Sequence, residues 1–306
     1  MANADAGFRR HGGGAPSAFI FSERNVIRRL ITLSPVAFFA LGGSSLAAQT
    51  WRTFDVAKQG RDSQPLSVHV SYGAGTVRVA ADSGRGLYDL HLKYDADCTE
   101  PLYRFDRESH RLELGVHRTS SRDVNMKKGG AMTLALSKYT PLRLDLDIGA
   151  VEGDLALGGL RLEELAVKTG ASETKLAFDQ PNPLRMTLFR LDAGAANVQV
   201  RNLGNANIER IDVNLGVGQL ELDFGGEWRA DVDMTVNSAL GSVSLTVPPD
   251  VGIRVDASTF LHSMDAEGLT KRNGAWMSDN YETARYKLRL RNTGALGRLE
   301  IKRATK

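Results

Sequence analysis

Leu144-Asp-Leu-Asp-Ile-Gly149-Ala-Val-Glu-Gly-Asp-Leu155, Ile211-Asp-Val-Asn-Leu-Gly216-Val-Gly-Gln-Leu-Glu-Leu222 and Met234-Thr-Val-Asn-Ser-Ala239-Leu-Gly-Ser-Val-Ser-Leu245 are copies of one pattern. Aligned on the first small residue, five copies (Gly149, Gly170, Gly194, Gly216 and Ala239) follow one another at intervals of 21, 24, 22 and 23 residues. Five places before that residue stand Leu144, Leu165, Phe189, Ile211 and Met234; three before it stand Leu146, Val167, Leu191, Val213 and Val236. Six after it stand Leu155, Leu176, Val200, Leu222 and Leu245. The columns between are polar: Asp147, Lys168, Asp192, Asn214 and Asn237 on one side, Asp154, Lys175, Gln199, Glu221 and Ser244 on the other. Alternation with period two predicts half-buried strands. Its return every 21–24 residues predicts coils that stack one inward column on the next, an all-β solenoid.

Two outlying copies extend the series: Gly73-Ala-Gly-Thr-Val-Arg-Val79, 76 residues before Gly149, and Ala295-Leu-Gly-Arg-Leu-Glu-Ile301, 56 residues after Ala239. The first gap calls for an insertion or degenerate coils. Each coil reads as a strand, a tight Gly-x-Gly turn, a second strand and a return such as Gly158-Gly-Leu-Arg-Leu162. Pro248-Pro249-Asp250 breaks the series, 257–285 reads as an irregular excursion, and Tyr286–Arg291 as a closing strand. The chain divides into 1–47, an N-terminal extension and signal; 48–140, a β region with the first repeat and the insertion; and 141–306, the repeat region.

The repeats resemble those of the bacterial toast-rack superfamily, which includes a putative-adhesin domain of unknown function and the C-terminal domain of LiaF-like envelope-stress proteins. Leu66-Ser-Val-His-Val70, Leu87-Tyr88, the stretch from Tyr94 to Leu114 and Pro248-Pro-Asp-Val-Gly-Ile253 take part in the likeness, which covers about 60–303. The resemblance implies stacked short strands placed at or outside the cell membrane, with roles in envelope sensing, adhesion or scaffolding. It carries no invariant catalytic motif. The membrane-spanning helices that many LiaF-like proteins have are not read in this chain.

The N-terminal segment has the form of an address. Arg28-Arg29 precedes the apolar run Leu30–Leu41 and then Gly-Gly-Ser-Ser-Leu-Ala-Ala48, the three parts of a secretory signal. Its 12 residues fall short of the roughly 20 that span a bilayer, so no stable span is expected after cleavage at Ala47 or Ala48. The Gly/Ala/Ser-rich prefix suggests translation from Val26. This segment also accounts for the net charge of +3: the chain has 39 basic and 36 acidic residues, and taking away five arginines and two acids leaves 34 of each beyond residue 47. A basic footprint for nucleic acid is therefore missing from the folded part. The lone Cys98 excludes an internal disulfide or a multi-cysteine metal site, and its acidic neighbours Asp95, Asp97 and Glu100 disfavour a reactive thiolate.

No catalytic, cofactor or metal residue is assigned. Gly73-Ala-Gly75 and Gly216-Val-Gly218 lack the third glycine and the helix of a dinucleotide fingerprint. His110 and His117 flank Leu112-Glu-Leu114 and could approach one another at strand ends, without the usual zinc spacing. Asp145, Asp147, Asp192 and Asp212 lie on outward columns. Polysaccharide-acting enzymes use such carboxylate pairs, one of them raised by burial or a like charge; here Lys168, Arg190 and Asn214 interrupt the columns, which read as a solvated, charge-mixed face. Calcium or glycan could occupy the same columns. The expected function is an exported, periplasmic or cell-surface, non-enzymatic adhesin-like or scaffold protein whose partner is a glycan or another envelope protein. The alternative is a polysaccharide lyase or hydrolase; Trp51, Trp228 and Trp276, too scattered to line one sugar-stacking cleft, favour the former.

Overall fold

Inward aliphatic columns leave the chain little choice but to stack. Burying each Leu, Val or Ile contributes about 1.5–3 kcal/mol, and each column is completed only by the coils on either side. The computed structural model describes residues 50–60, 63–120, 129–259 and 262–304; the signal-like segment 1–47 lies outside them. Seventeen strands form, with one short 3-10 helix (Leu203–Ala206) and no α-helix among the described residues.

Five strands run unbroken through the small-residue position: β2 (Leu66–Asp82), β7 (Pro141–Ala156), β10 (Met186–Arg201), β11 (Ile208–Asp223) and β12 (Val232–Val247). A sixth, β17 (Lys287–Arg303), does the same. The turn expected between two strands is instead a bend within one, because pairing continues in register on both sides of it. Of the seven copies read in the sequence, only that of β8 (Arg161–Thr169) and β9 (Glu173–Ala177) is cut at the bend. At the bend of β11, Gly216 and Val217 both lie on the outer side between inward Leu215 and Leu220. Gly218 absorbs this slip in alternation at φ +137°, with its Cα against the carbonyl oxygen of Ala196, where a Cβ has no room.

The stack order departs from chain order at both ends. β3 (Gly86–Asp95), β4 (Thr99–Asp106), β5 (Arg111–Arg118) and β6 (Ala131–Ser137) fill the gap between β2 and β7, so β2 and β7 become direct parallel neighbours. On its other side β2 pairs with β5 along its first half and with β6 along its second. The long gap is thus both an insertion and a degenerate split coil. Antiparallel β4 covers β5; β3 covers β6, and β1 (Trp51–Gln59) covers β3. At the far end, 257–285 is not irregular. It holds the last three residues of β13 (Gly252–Thr259), then β14 (His262–Ala266), β15 (Leu269–Arg272) and β16 (Ala275–Ser278). β17 then inserts between β12 on one side and β13 and β14 on the other.

The inward columns of both half-strands meet in one core, with Leu146, Val167, Leu191, Val213 and Val236 all buried. Phe54, Tyr88, Tyr103 and Phe105 pack at ring separations of 6.1–6.4 Å among the N-terminal covering strands, where the Tyr88 and Tyr103 hydroxyls lie 2.7 Å apart. Asparagines tie the return segments. Buried Asn182 donates from Nδ2 to the carbonyls of Leu162 and Ala206 and accepts at Oδ1 from Leu162 N, joining three successive coils. Ala48–Lys306 makes one compact unit, and no break in the sheet separates 48–140 from 141–306. No helix among the described residues is long and apolar enough to cross a membrane.

Candidate functional site

The bends align into an open groove of about 1130 Å³ that crosses seven strands, from β7 through β8, β10, β11, β12 and β17 to β13. Its floor is made of the small residues at the bend and the buried residues just before them, Ile148, Thr169, Ala193, Leu215 and Ser238. One wall is the polar column Asp147, Lys168, Asp192, Asn214 and Asn237, continued by Thr293. Parallel register places these side chains one above the next, at the strand spacing of about 4.8 Å. Three of them are linked: Asn214 Nδ2 donates to Asp192 Oδ1 at 2.6 Å, and Asn237 Nδ2 donates to Asn214 Oδ1 at 3.0 Å. Lys168 has no partner among the described residues, and Ser238 Oγ, beneath the floor, meets none either. Past the small residues Val217, Leu240 and Leu296 stand in register, 48%, 48% and 43% exposed.

The four outward aspartates are distributed along this face without forming a closed pair. Asp147 and Asp192 line the groove two strands apart with Lys168 on the strand between. That separation, roughly 10 Å at the strand spacing, lies just beyond the roughly 6.5–9.5 Å used by inverting glycosidases. Asp145 lies outside the groove, its Oδ2 3.1 Å from His69 Nδ1. Asp212 accepts from Arg210 Nε at 2.9 Å. His110 and His117 stand at opposite ends of β5, His110 just before it at φ 50°, so they do not approach one another. Cys98 is buried; burial first and the Asp95 charge second raise its thiol above the ordinary range, as its acidic setting in the sequence suggested. Trp228 is structural, its Nε1 donating to Phe224 O at 2.9 Å and its ring 5.9 Å from that of Phe224.

The polar wall was visible in the sequence as a column. The groove was not, because its depth comes from the bend and from the missing side chains of Gly149, Gly170, Gly194 and Gly216. The aliphatic ridge was missed for a related reason: period-two counting puts Val217, Leu240 and Leu296 on the inward side, and the slip at the bend turns them out.

A stack of bent parallel strands with this groove is a β-solenoid. Residues 47–201 and 183–246 match the family described as the N-terminal domain of toast_rack, DUF2154, and the chain belongs to that family. Among solved structures it is similar to a putative cell adhesion protein from Clostridium sporogenes, at 13% identity and a TM-score of 0.44 over 84% of this chain and 100% of that one. It is also similar to a putative adhesin from Bacteroides fragilis, at 12% identity and a TM-score of 0.42 over 83% and 98%. A putative lipid binding protein from Parabacteroides distasonis aligns at 8% identity and a TM-score of 0.28 over 83% and 97%. No curated protein matches the chain.

Proposed function

We propose that this protein is an exported, non-enzymatic β-solenoid of the cell envelope that binds an extended glycan along the bend groove. The groove carries the reading. Its wall repeats a hydrogen-bonding side chain at the strand pitch of about 4.8 Å, comparable to the spacing of consecutive rings in an extended polysaccharide and longer than the roughly 3.3 Å per residue of an extended peptide. Carboxylate, ammonium and amide groups on one wall suit hydroxyl-rich ligands, which both donate and accept. The aliphatic ridge beyond the floor suits the apolar face of a sugar ring. Export rests on the signal pattern of 1–47, and native protein should begin at Ala48 or Gln49 in the periplasmic or secreted fraction. N-terminal sequencing that finds Arg9 or Phe19 intact in a cytoplasmic pool overturns it.

Turnover is not expected, since a hydrolase needs two carboxylates with opposed tasks, and Lys168 stands between the pair that shares the groove. Binding is tested by titrating purified protein with cell-wall and capsular polysaccharides. Replacing exposed Ala239 on the floor with Leu should abolish binding while leaving thermal stability intact. Polysaccharide cleavage that disappears in Asp147→Ala or Asp192→Ala replaces the reading with a lyase or hydrolase.

A further inference from the structure

Beside the β7–β8–β10 end of the groove, on the same outer face, lies a separate hollow of about 300 Å³, near the lower size limit of small-ligand sites. Ala166 of β8 forms its floor, because its methyl group sits among long side chains. Asp145 of β7 pairs with Ala166 on one side and Arg190 of β10 on the other. Glu164 and Lys168, two residues before and after Ala166, share its face of the sheet, and Lys168 also belongs to the groove wall.

Most charges around the hollow are already committed. Arg111 Nε is 2.9 Å from Glu113, Arg143 Nε is 3.1 Å from Glu163, and His69 holds Asp145 Oδ2. The side chains of Arg190, Lys168 and Glu164 make no hydrogen bond or ion pair with the described residues, and Asp145 Oδ1 meets no donor. The uncommitted set is therefore two cations against one carboxylate, plus one carboxylate oxygen in need of a donor.

We infer that this hollow is a subsite for a carboxylated sugar, a uronic-acid unit of the glycan in the adjoining groove. The Arg190 guanidinium offers a planar fork that matches a carboxylate in two parallel hydrogen bonds. Lys168 adds a second positive charge where the hollow meets the groove. Glu164 accepts from ring hydroxyls, and so does Asp145 Oδ1 once a small rotation of the side chain opens it. A neutral sugar leaves the Arg190 fork unmatched, so the site selects for acid. The inference rests on the glycan reading above and adds to it the charge of the ligand and the place where that charge is read.

Calorimetric titration of the full chain with tetragalacturonate, and with its methyl ester as the neutral twin, tests both levels. The acid should bind roughly tenfold or more tightly than the ester, a ratio corresponding to about 1.4 kcal/mol. Ala166→Leu, which fills the hollow and spares the groove lining, should remove that preference. So should Arg190→Gln, an exposed change that also serves if the first variant folds poorly. Equal affinity for acid and ester, with both lost in Ala239→Leu, overturns the acidic subsite and leaves the groove reading standing. A preference for acid that survives both Ala166→Leu and Arg190→Gln also overturns the subsite. Binding of neither oligomer overturns both.

Discussion

Leu222 and Glu221 are adjacent in the chain, yet one is buried and the other exposed. Leu222→Ala leaves a cavity in a column shared with Val200 and Leu245, its partners on the adjoining strands, and should cost about 2–5 kcal/mol. Glu221→Ala should stay within about 0.5 kcal/mol. Urea denaturation that gives equal costs removes the register. Backbone positions separate in the same way. Gly218 and Gly274 both have positive φ, but a Cβ at Gly218 collides with Ala196 O, whereas at Gly274 it meets nothing within 4 Å. Gly274→Ala should cost about 1 kcal/mol, from backbone strain alone. Gly218→Ala should cost at least about 1–3 kcal/mol more, because the neighbouring coil has to move. Similar melting temperatures for the two variants contradict the close stacking at the bend.

Among the described residues, β1 pairs with β3 alone, and an ion pair joins the two strands. His91 of β3 lies 2.9 Å from Asp55 of β1 and 3.5 Å from Asp89. The hydrogen bond to Asp55, ahead of the Asp89 charge, raises the imidazole above its ordinary value of 6.5. A raised histidine stabilises the pairing fully below that ordinary value, and the contribution fades as pH rises through the raised one. An NMR titration should place the His91 midpoint above 6.5 and move it down in Asp55→Asn. An unmoved midpoint contradicts the pairing. Exchange of β1 amides should quicken on the alkaline side of the transition in the wild-type chain and lose this pH step in Asp55→Asn.

At the scale of the molecule, a solenoid distributes its stability through nearest neighbours, and β17 is one of the places where chain order and stack order part. It joins β12 residues 56 positions earlier while forming the main support of β13 and β14; among the described residues β13 otherwise pairs only at Arg254 and Val255. A chain ending at Tyr286 should lose amide protection in β12, β13 and β14 and keep it in the distant β2–β7 pair. Loss of protection throughout instead shows a single cooperative unit, and retained protection in β13 shows that β17 is dispensable.

Alternation and a 21–24-residue period were enough to determine the β class, the stacked coils and nearly every inward residue from Leu144 to Leu245, because local pattern and burial coincide along a regular strand. Membership of the stack could also be read for Gly73 and Ala295. Tertiary structure alone decided that the strands bend without breaking and that Val217, Leu240 and Leu296 face outward. It also decided the bridging role of Asn182 and the insertion of β17 between β12 and β13. These depend on backbone approach between coils and on pairings between distant segments, neither of which leaves a period in the sequence. The candidate groove belongs to the same category: its polar wall is a sequence column, and its hollow is the space that the bend and the glycines leave.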